Sequence, residues 1–131
     1  MKKLLAAAVL IFLLPGPAEA LPYSRTVPAG KTSTVFTYTP WDLSCHSTFA
    51  VAKLTDKPQH GTVSHHFIST TIPEINRLTG RETPCRGKPA TGFVVTYTPA
   101  RGFRGTDTFT LDVDYPSAAR RATDVFTIQV E

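Results

Sequence analysis

Thr106-Asp107-Thr108-Phe109-Thr110-Leu111-Asp112-Val113-Asp114-Tyr115 decides the fold. Phe109, Leu111, Val113 and Tyr115 alternate with Thr108, Thr110, Asp112 and Asp114, a period of two that sends apolar side chains to one face and polar ones to the other. Such a strand packs on a core on one side and meets water on the other, as the strands of an antiparallel sandwich do. Downstream, Pro116–Ala122 reads as a polar hairpin loop. Asp124–Val130 then reads as a closing strand with Phe126, Ile128 and Val130 inward.

Upstream the same grammar repeats. Thr32–Thr39, Ser47–Leu54, Thr62–Phe67 and Gly92–Thr98 are short runs rich in β-branched and aromatic residues, separated by Pro and Gly turns such as Lys57-Pro58-Gln59-His60-Gly61 and Pro99-Ala100-Arg101-Gly102. Residues 68–88 are punctuated by Pro73, Gly80, Pro84 and Gly87. They read as an irregular strand followed by a long loop tied down near Cys85. With no long helical period and no repeat, the expected fold is all-β, a sandwich of about seven strands over residues 31–131, preceded by a proline-containing lead segment at residues 21–30.

The segment Tyr97-Thr98-Pro99-x-x-Gly102-Phe103-x-Gly105-Thr106-Asp107-Thr108-Phe109, preceded by Pro58-x-His60-Gly61-Thr62-Val63, resembles bacterial Ig-like and cadherin-like surface modules over roughly Lys57–Val130. In its single domain and cysteine pair the chain is similar to the small secreted Ig-like proteins of alphaproteobacteria, which are generally of unassigned function. The resemblance implies an Ig-like antiparallel sandwich. Physical reasoning points the same way: Gly102 and Gly105 permit a tight corner, Phe103 can tuck beneath it, and Asp107 can accept hydrogen bonds from backbone amides. Two departures stand out. Trp41 precedes Cys45 instead of lying between the cysteines, and no acidic linker of the cadherin calcium-binding kind is present, so calcium-dependent adhesion is not implied.

At the amino terminus, Lys2 and Lys3 precede the apolar run Leu4–Leu14, then Pro15-Gly16-Pro17 and the small-x-small site Ala18-Glu19-Ala20. This is the pattern of a cleavable signal peptide over residues 1–20, and the run is shorter than the roughly 20 apolar residues that span a bilayer. The expected product is secreted, periplasmic or extracellular, with no transmembrane anchor after cleavage. In that oxidising setting Cys45 and Cys85 are expected to pair, closing a loop of about 41 residues worth roughly 4 kcal/mol. Removing Lys2, Lys3 and Glu19 leaves twelve basic against nine acidic side chains. That mild excess suits solubility, and nucleic acid is not expected as a partner of an exported chain.

Candidate chemistry is sparse. His46, His60, His65 and His66 lack ligand spacing, and adjacent His65 and His66 point to opposite faces of a strand. A periplasmic metal-binding role is therefore only a remote alternative, and no metal, cofactor or catalytic residue is assigned. Asp112 and Asp114, roughly 6–7 Å apart on an outward face, lack the cleft a carboxylate pair needs. No G-x-S-x-G, H-E-x-x-H or phosphate-cradling glycine loop occurs, so an enzyme is not expected. Arg77, Arg81, Arg86, Lys88, Arg101, Arg104, Arg120 and Arg121 fall in expected loops. Arg86, Lys88, Arg101, Arg104, Arg120 and Arg121 are the candidates for a cationic surface that would take carboxylates or phosphates. Trp41, Tyr23 and Tyr115 are the rings available for stacking. The expected function is a non-catalytic envelope or extracellular binding module for a protein or an anionic surface glycan. The alternative is an accessory subunit that pairs by β-strand addition.

Overall fold

The computed structural model describes residues 20–131; the signal-peptide features at Lys2, Lys3, Leu4–Leu14 and Ala18-Glu19 lie outside the described residues. Seven strands form in chain order: β1 Ala20–Val27, β2 Ser33–Tyr38, β3 Val51–Asp56, β4 Gly61–Thr71, β5 Pro89–Pro99, β6 Gly105–Tyr115 and β7 Arg120–Val130. They make two sheets, β1-β7-β6-β3 and β2-β5-β4. Lettered A to G in chain order, these sheets keep the B-E-D and C-F-G groupings of the immunoglobulin sandwich, but the first strand joins the C-F-G sheet and not the other, with a single core between the two sheets.

Alternation explains the layers. Phe109, Leu111 and Val113 of β6 and Phe126, Ile128 and Val130 of β7 are buried against Phe93, Val95 and Tyr97 of β5 and Tyr38 of β2. Phe109 and Phe126 stack at 4.7 Å between ring centroids, and Tyr38 stacks on Phe93 at 4.8 Å, within the range where aromatic pairs add to area burial.

The lead segment expected at residues 21–30 is instead largely strand. β1 runs parallel to β7 from Ala20↔Thr123 to Val27↔Val130, so the sheet is not wholly antiparallel and the sandwich begins before residue 31. Pro22 is tolerated because β1 is an edge. Arg25 crosses between sheets, its Nε donating to the Val35 carbonyl oxygen at 2.8 Å. The strand expected at Ser47–Leu54 starts later, at Val51, because Trp41 and Ser47 form a bridge within the preceding loop. The Pro116–Ala122 loop is shorter than expected, a 3-10 turn at Pro116–Ala118 closed by left-handed Ala119. Residues 68–88 give strand and then a loop, as expected, but the strand is not irregular: β4 continues past Phe67 to Thr71 in unbroken register with β5.

At one end of the sandwich lie the β1–β2, β3–β4 and β5–β6 connections. At the other lie β2–β3 (39–50), β4–β5 (72–88) and β6–β7 (116–119). No helix among the described residues is long and apolar enough to cross a membrane.

Candidate functional site

The 72–88 loop is closed at its base, where the Ile72 amide donates to the Lys88 carbonyl oxygen and the Gly87 amide to that of Ile72. Inside it, Asn76 organises a turn: its side-chain oxygen accepts from the Leu78 amide, and its carbonyl accepts from Thr79 and Gly80. Gly80 sits at φ +69, a conformation glycine adopts without steric cost. Arg77 lies within this turn and is directed back into the sandwich.

There its guanidinium meets Asp124 of β7. Arg77 Nη1 donates to Asp124 Oδ1 at 3.0 Å and to the Tyr23 hydroxyl at 2.9 Å, and Nε donates to the Tyr115 hydroxyl at 3.1 Å, with Nη2 reaching the same oxygen. Tyr38 donates to Asp124 Oδ2. The Asp124 side chain is wholly buried and that of Arg77 is 22% exposed. The guanidinium also lies 5.0 Å from the Tyr38 ring centroid and 5.3 Å from that of Phe36, a cation–π arrangement. Burial pushes the Tyr38 hydroxyl far above its ordinary range, and its bond to Asp124 pushes the same way. Burial opposes the charge on Arg77, but Asp124 and Tyr115 outweigh it and hold the cation. Asp124 has both oxygens occupied and no access to solvent, so it serves as a counter-ion and is out of reach of any ligand.

The facing loop is built by Asp42. Its Oδ1 accepts from the Ser44 and His46 amides, both at 2.9 Å, while the Thr48 amide donates to the Pro40 carbonyl oxygen. These bonds hold the Asp42 carboxyl below the usual range, the His46 amide contributing most. Cys45, at φ 63, bonds to Cys85 with Cα atoms 5.2 Å apart. The disulfide joins loop to loop and not core strand to core strand, a departure from the antibody-type bridge that goes with Trp41 preceding Cys45.

Between the two loops and the top of the sandwich is a cleft of about 890 Å³, with Arg77 and Tyr115 on its floor and Trp41, Leu43, Ile75 and Leu78 among its walls. Leu43 is fully exposed and Ile75 is 45% exposed. The volume is in the range of small-molecule sites, roughly 300–1,000 Å³.

No protein-family model matches the chain, and no curated protein matches it. Among solved structures, it is similar to the solution structure of Amebosin, with 13% identity, a TM-score of 0.43, and coverage of 88% of this chain and 100% of that one. A likeness this faint carries no argument about function.

The six basic candidates do not form one surface. Arg101 and Arg104 stand in the β5–β6 connection, while Arg86, Lys88, Arg120 and Arg121 lie at the opposite end, about 30 Å away along an eleven-residue strand. Arg86 pairs with Glu74 at 3.0 Å. Arg120 alone of the six lines the cleft. Of the rings, Trp41 lines the cleft, while Tyr23 and Tyr115 are bonded to Arg77. Among the described residues, no three of His, Cys, Asp or Glu come together in a group that could hold a metal. His65 and His66 sit in successive register positions on β4, and His60 stacks on Phe103 at 4.2 Å.

That last contact belongs to the Gly102–Asp107 corner, at the far end from the cleft. Gly102 is at φ +79 and Gly105 at φ +133. Asp107 accepts from the Gln59, His60 and Thr108 amides, each at 3.0 Å, and from the Tyr97 hydroxyl at 2.7 Å. Gly61 is required beside it, because a Cβ there would come within 2.6 Å of the Thr98 carbonyl oxygen. Burial alone would raise the Asp107 carboxyl, but Tyr97 and the three amides outweigh it and hold it below the usual carboxylate range. The folded-state pKa is therefore depressed. Its contribution to stability is present above the unfolded value of about 3.9 and is lost as pH falls through the folded value. Asp107→Asn is expected to cost about 2–3 kcal/mol at pH 7 and to flatten the acid limb below about pH 4, both measurable by urea titration across pH.

Proposed function

We propose that this protein is an exported, non-catalytic binding module of the bacterial envelope or exterior, and that its ligand occupies the cleft between the disulfide-joined loops. The observation that carries this reading is the cleft itself: the 39–50 and 72–88 loops that frame it are joined to each other through Cys45–Cys85, and the second is tied to the sandwich through Arg77–Asp124, which restrains the walls of the site about its floor. Preorganisation of this kind reduces the ordering cost of binding. The disulfide also speaks for a non-reducing compartment. The division of the basic candidates between two ends favours the cleft over a cationic patch as the working surface.

Capture from the native envelope fraction tests the reading. Leu43→Glu with Ile75→Glu changes two exposed wall positions without touching the core, and it is expected to lower ligand retention at least tenfold. Equal retention by the wild type and this variant would move the working surface elsewhere.

A second reading rests on β4. Of the four edge strands, β1 carries Pro22 and Arg25, while β2 and β3 are six residues long and each breaks register. β4 keeps eleven residues in unbroken register with β5 and contains no Pro, Lys, Arg, Asp or Glu. It lacks the devices that block edge pairing, and Phe67 on it is 72% exposed. Strand addition by an envelope partner there is the accessory-subunit alternative. It requires that Phe67→Lys abolish co-purification of a partner that Leu43→Glu leaves bound.

A further inference from the structure

We infer that the cleft takes a small amphiphilic carboxylate, a molecule with one anionic head and an apolar body, the head lying at Arg77, Tyr115 and Arg120 and the body against Trp41, Leu43, Ile75 and Leu78. The inference rests on the cleft being the binding site, as proposed above, and adds the chemistry of what fills it.

Hydrogen-bond accounting gives the head. A guanidinium has five N–H groups. Four are used, by Tyr115 twice, Tyr23 and Asp124, which leaves one Nη2–H. The Tyr115 oxygen accepts from Arg77, and its own O–H has no acceptor among the described residues. Arg120 is the register partner of Tyr115 across the β6–β7 hairpin, so the two share a face and both line the cleft. Arg77, Tyr115 and Arg120, all lining the cleft, are thus side chains with donors left to offer an anionic head. The acidic side chain of the lining, Asp42, stands in the opposite loop with Oδ1 committed to two amides.

Charge selects among acceptors. Asp124 neutralises Arg77 from below, so the remaining positive charge at the floor is that of Arg120. One unit matches a monoanion. A phosphate dianion would leave a charge unmatched in a partly desolvated site, and a cationic head would meet donors only. The walls supply the rest: an indole, two aliphatic side chains above the floor and the exposed Leu43 at the rim favour an apolar body.

The chain has one tryptophan, so Trp41 fluorescence reads the cleft directly. Decanoate, decan-1-ol, decylammonium and decyl phosphate are titrated below their aggregation thresholds against the mature, oxidised protein. Decanoate is expected to bind at least tenfold more tightly than decanol, with the difference shrinking as salt is raised, and decylammonium is expected not to compete. Arg120→Gln, an exposed change, is expected to bring decanoate down to within about twofold of decanol. Equal affinity for acid and alcohol, or tighter binding of the phosphate, would overturn the carboxylate assignment while leaving the cleft as a binding site. A Trp41 signal unmoved by all four probes, with no heat in calorimetry, would overturn both.

Discussion

Asp124→Asn is expected to cost about 3–5 kcal/mol of stability, because it leaves the Arg77 guanidinium buried beside three aromatic rings without its counter-ion. Asp124 is wholly buried and bonded through both oxygens, so no water stands ready to replace the lost charge. For a domain of this size the melting midpoint should fall by roughly 12–20 °C. Arg77→Met should do comparable damage from the other side, stranding the carboxylate. The double change Arg77→Met with Asp124→Leu should recover most of the loss, since matched apolar groups often replace a buried pair at little cost. A loss under about 1 kcal/mol in Asp124→Asn would mean that the pair is solvated in practice and that the floor of the cleft is not rigid.

Removal of the disulfide is the second large effect. Cys45 and Cys85 are 40 residues apart in sequence, and loop-closure entropy assigns such a crosslink about 4 kcal/mol. Against a total of about 5–15 kcal/mol for an ordinary domain, reduction would remove a large share. The urea midpoint of the Cys45→Ala, Cys85→Ala chain should fall accordingly, and amides of the 72–88 loop should exchange faster than those of β5 and β6. The crosslink and the Arg77–Asp124 pair restrain the same loop, so their losses should not add. If the midpoint barely moves, the two loops hold their shape through Asp42 and Asn76 alone.

The alternation of Phe109, Leu111, Val113 and Tyr115 was enough to place β6, and the Gly102–Asp107 corner was legible because the turn chemistry is local. The disulfide followed from the even cysteine count and the oxidising compartment that the signal-peptide pattern leads one to expect. The same alternation, carried two residues back from Phe126, sets Asp124 on the inward face of β7. A carboxylate at a core position demands a buried partner, so the counter-ion beneath the cleft floor was available to sequence reasoning and was missed. Arg77 was not legible in that way. It reaches Asp124 only because the Asn76 turn, closed over residues 72–88, aims it there, and the path of a long loop depends on what it packs against. β1 escaped because Pro22 reads as a breaker and Arg25 interrupts the apolar alternation. Both are compatible with an edge strand whose neighbour, β7, lies at the other end of the chain.

That last pairing governs how the domain can come into being. β1 joins β7 across about 100 residues, and β2–β5 and β3–β6 each close over tens of residues. Pairings this distant make assembly slow, on the millisecond-to-second scale of β-sandwiches. β1 is an edge strand whose neighbour in the sheet is β7, so it has nothing to pair with until β7 is in place. Completion of the four-stranded sheet therefore waits on β7, and the strand that comes first in sequence is among the last that a neighbour can hold.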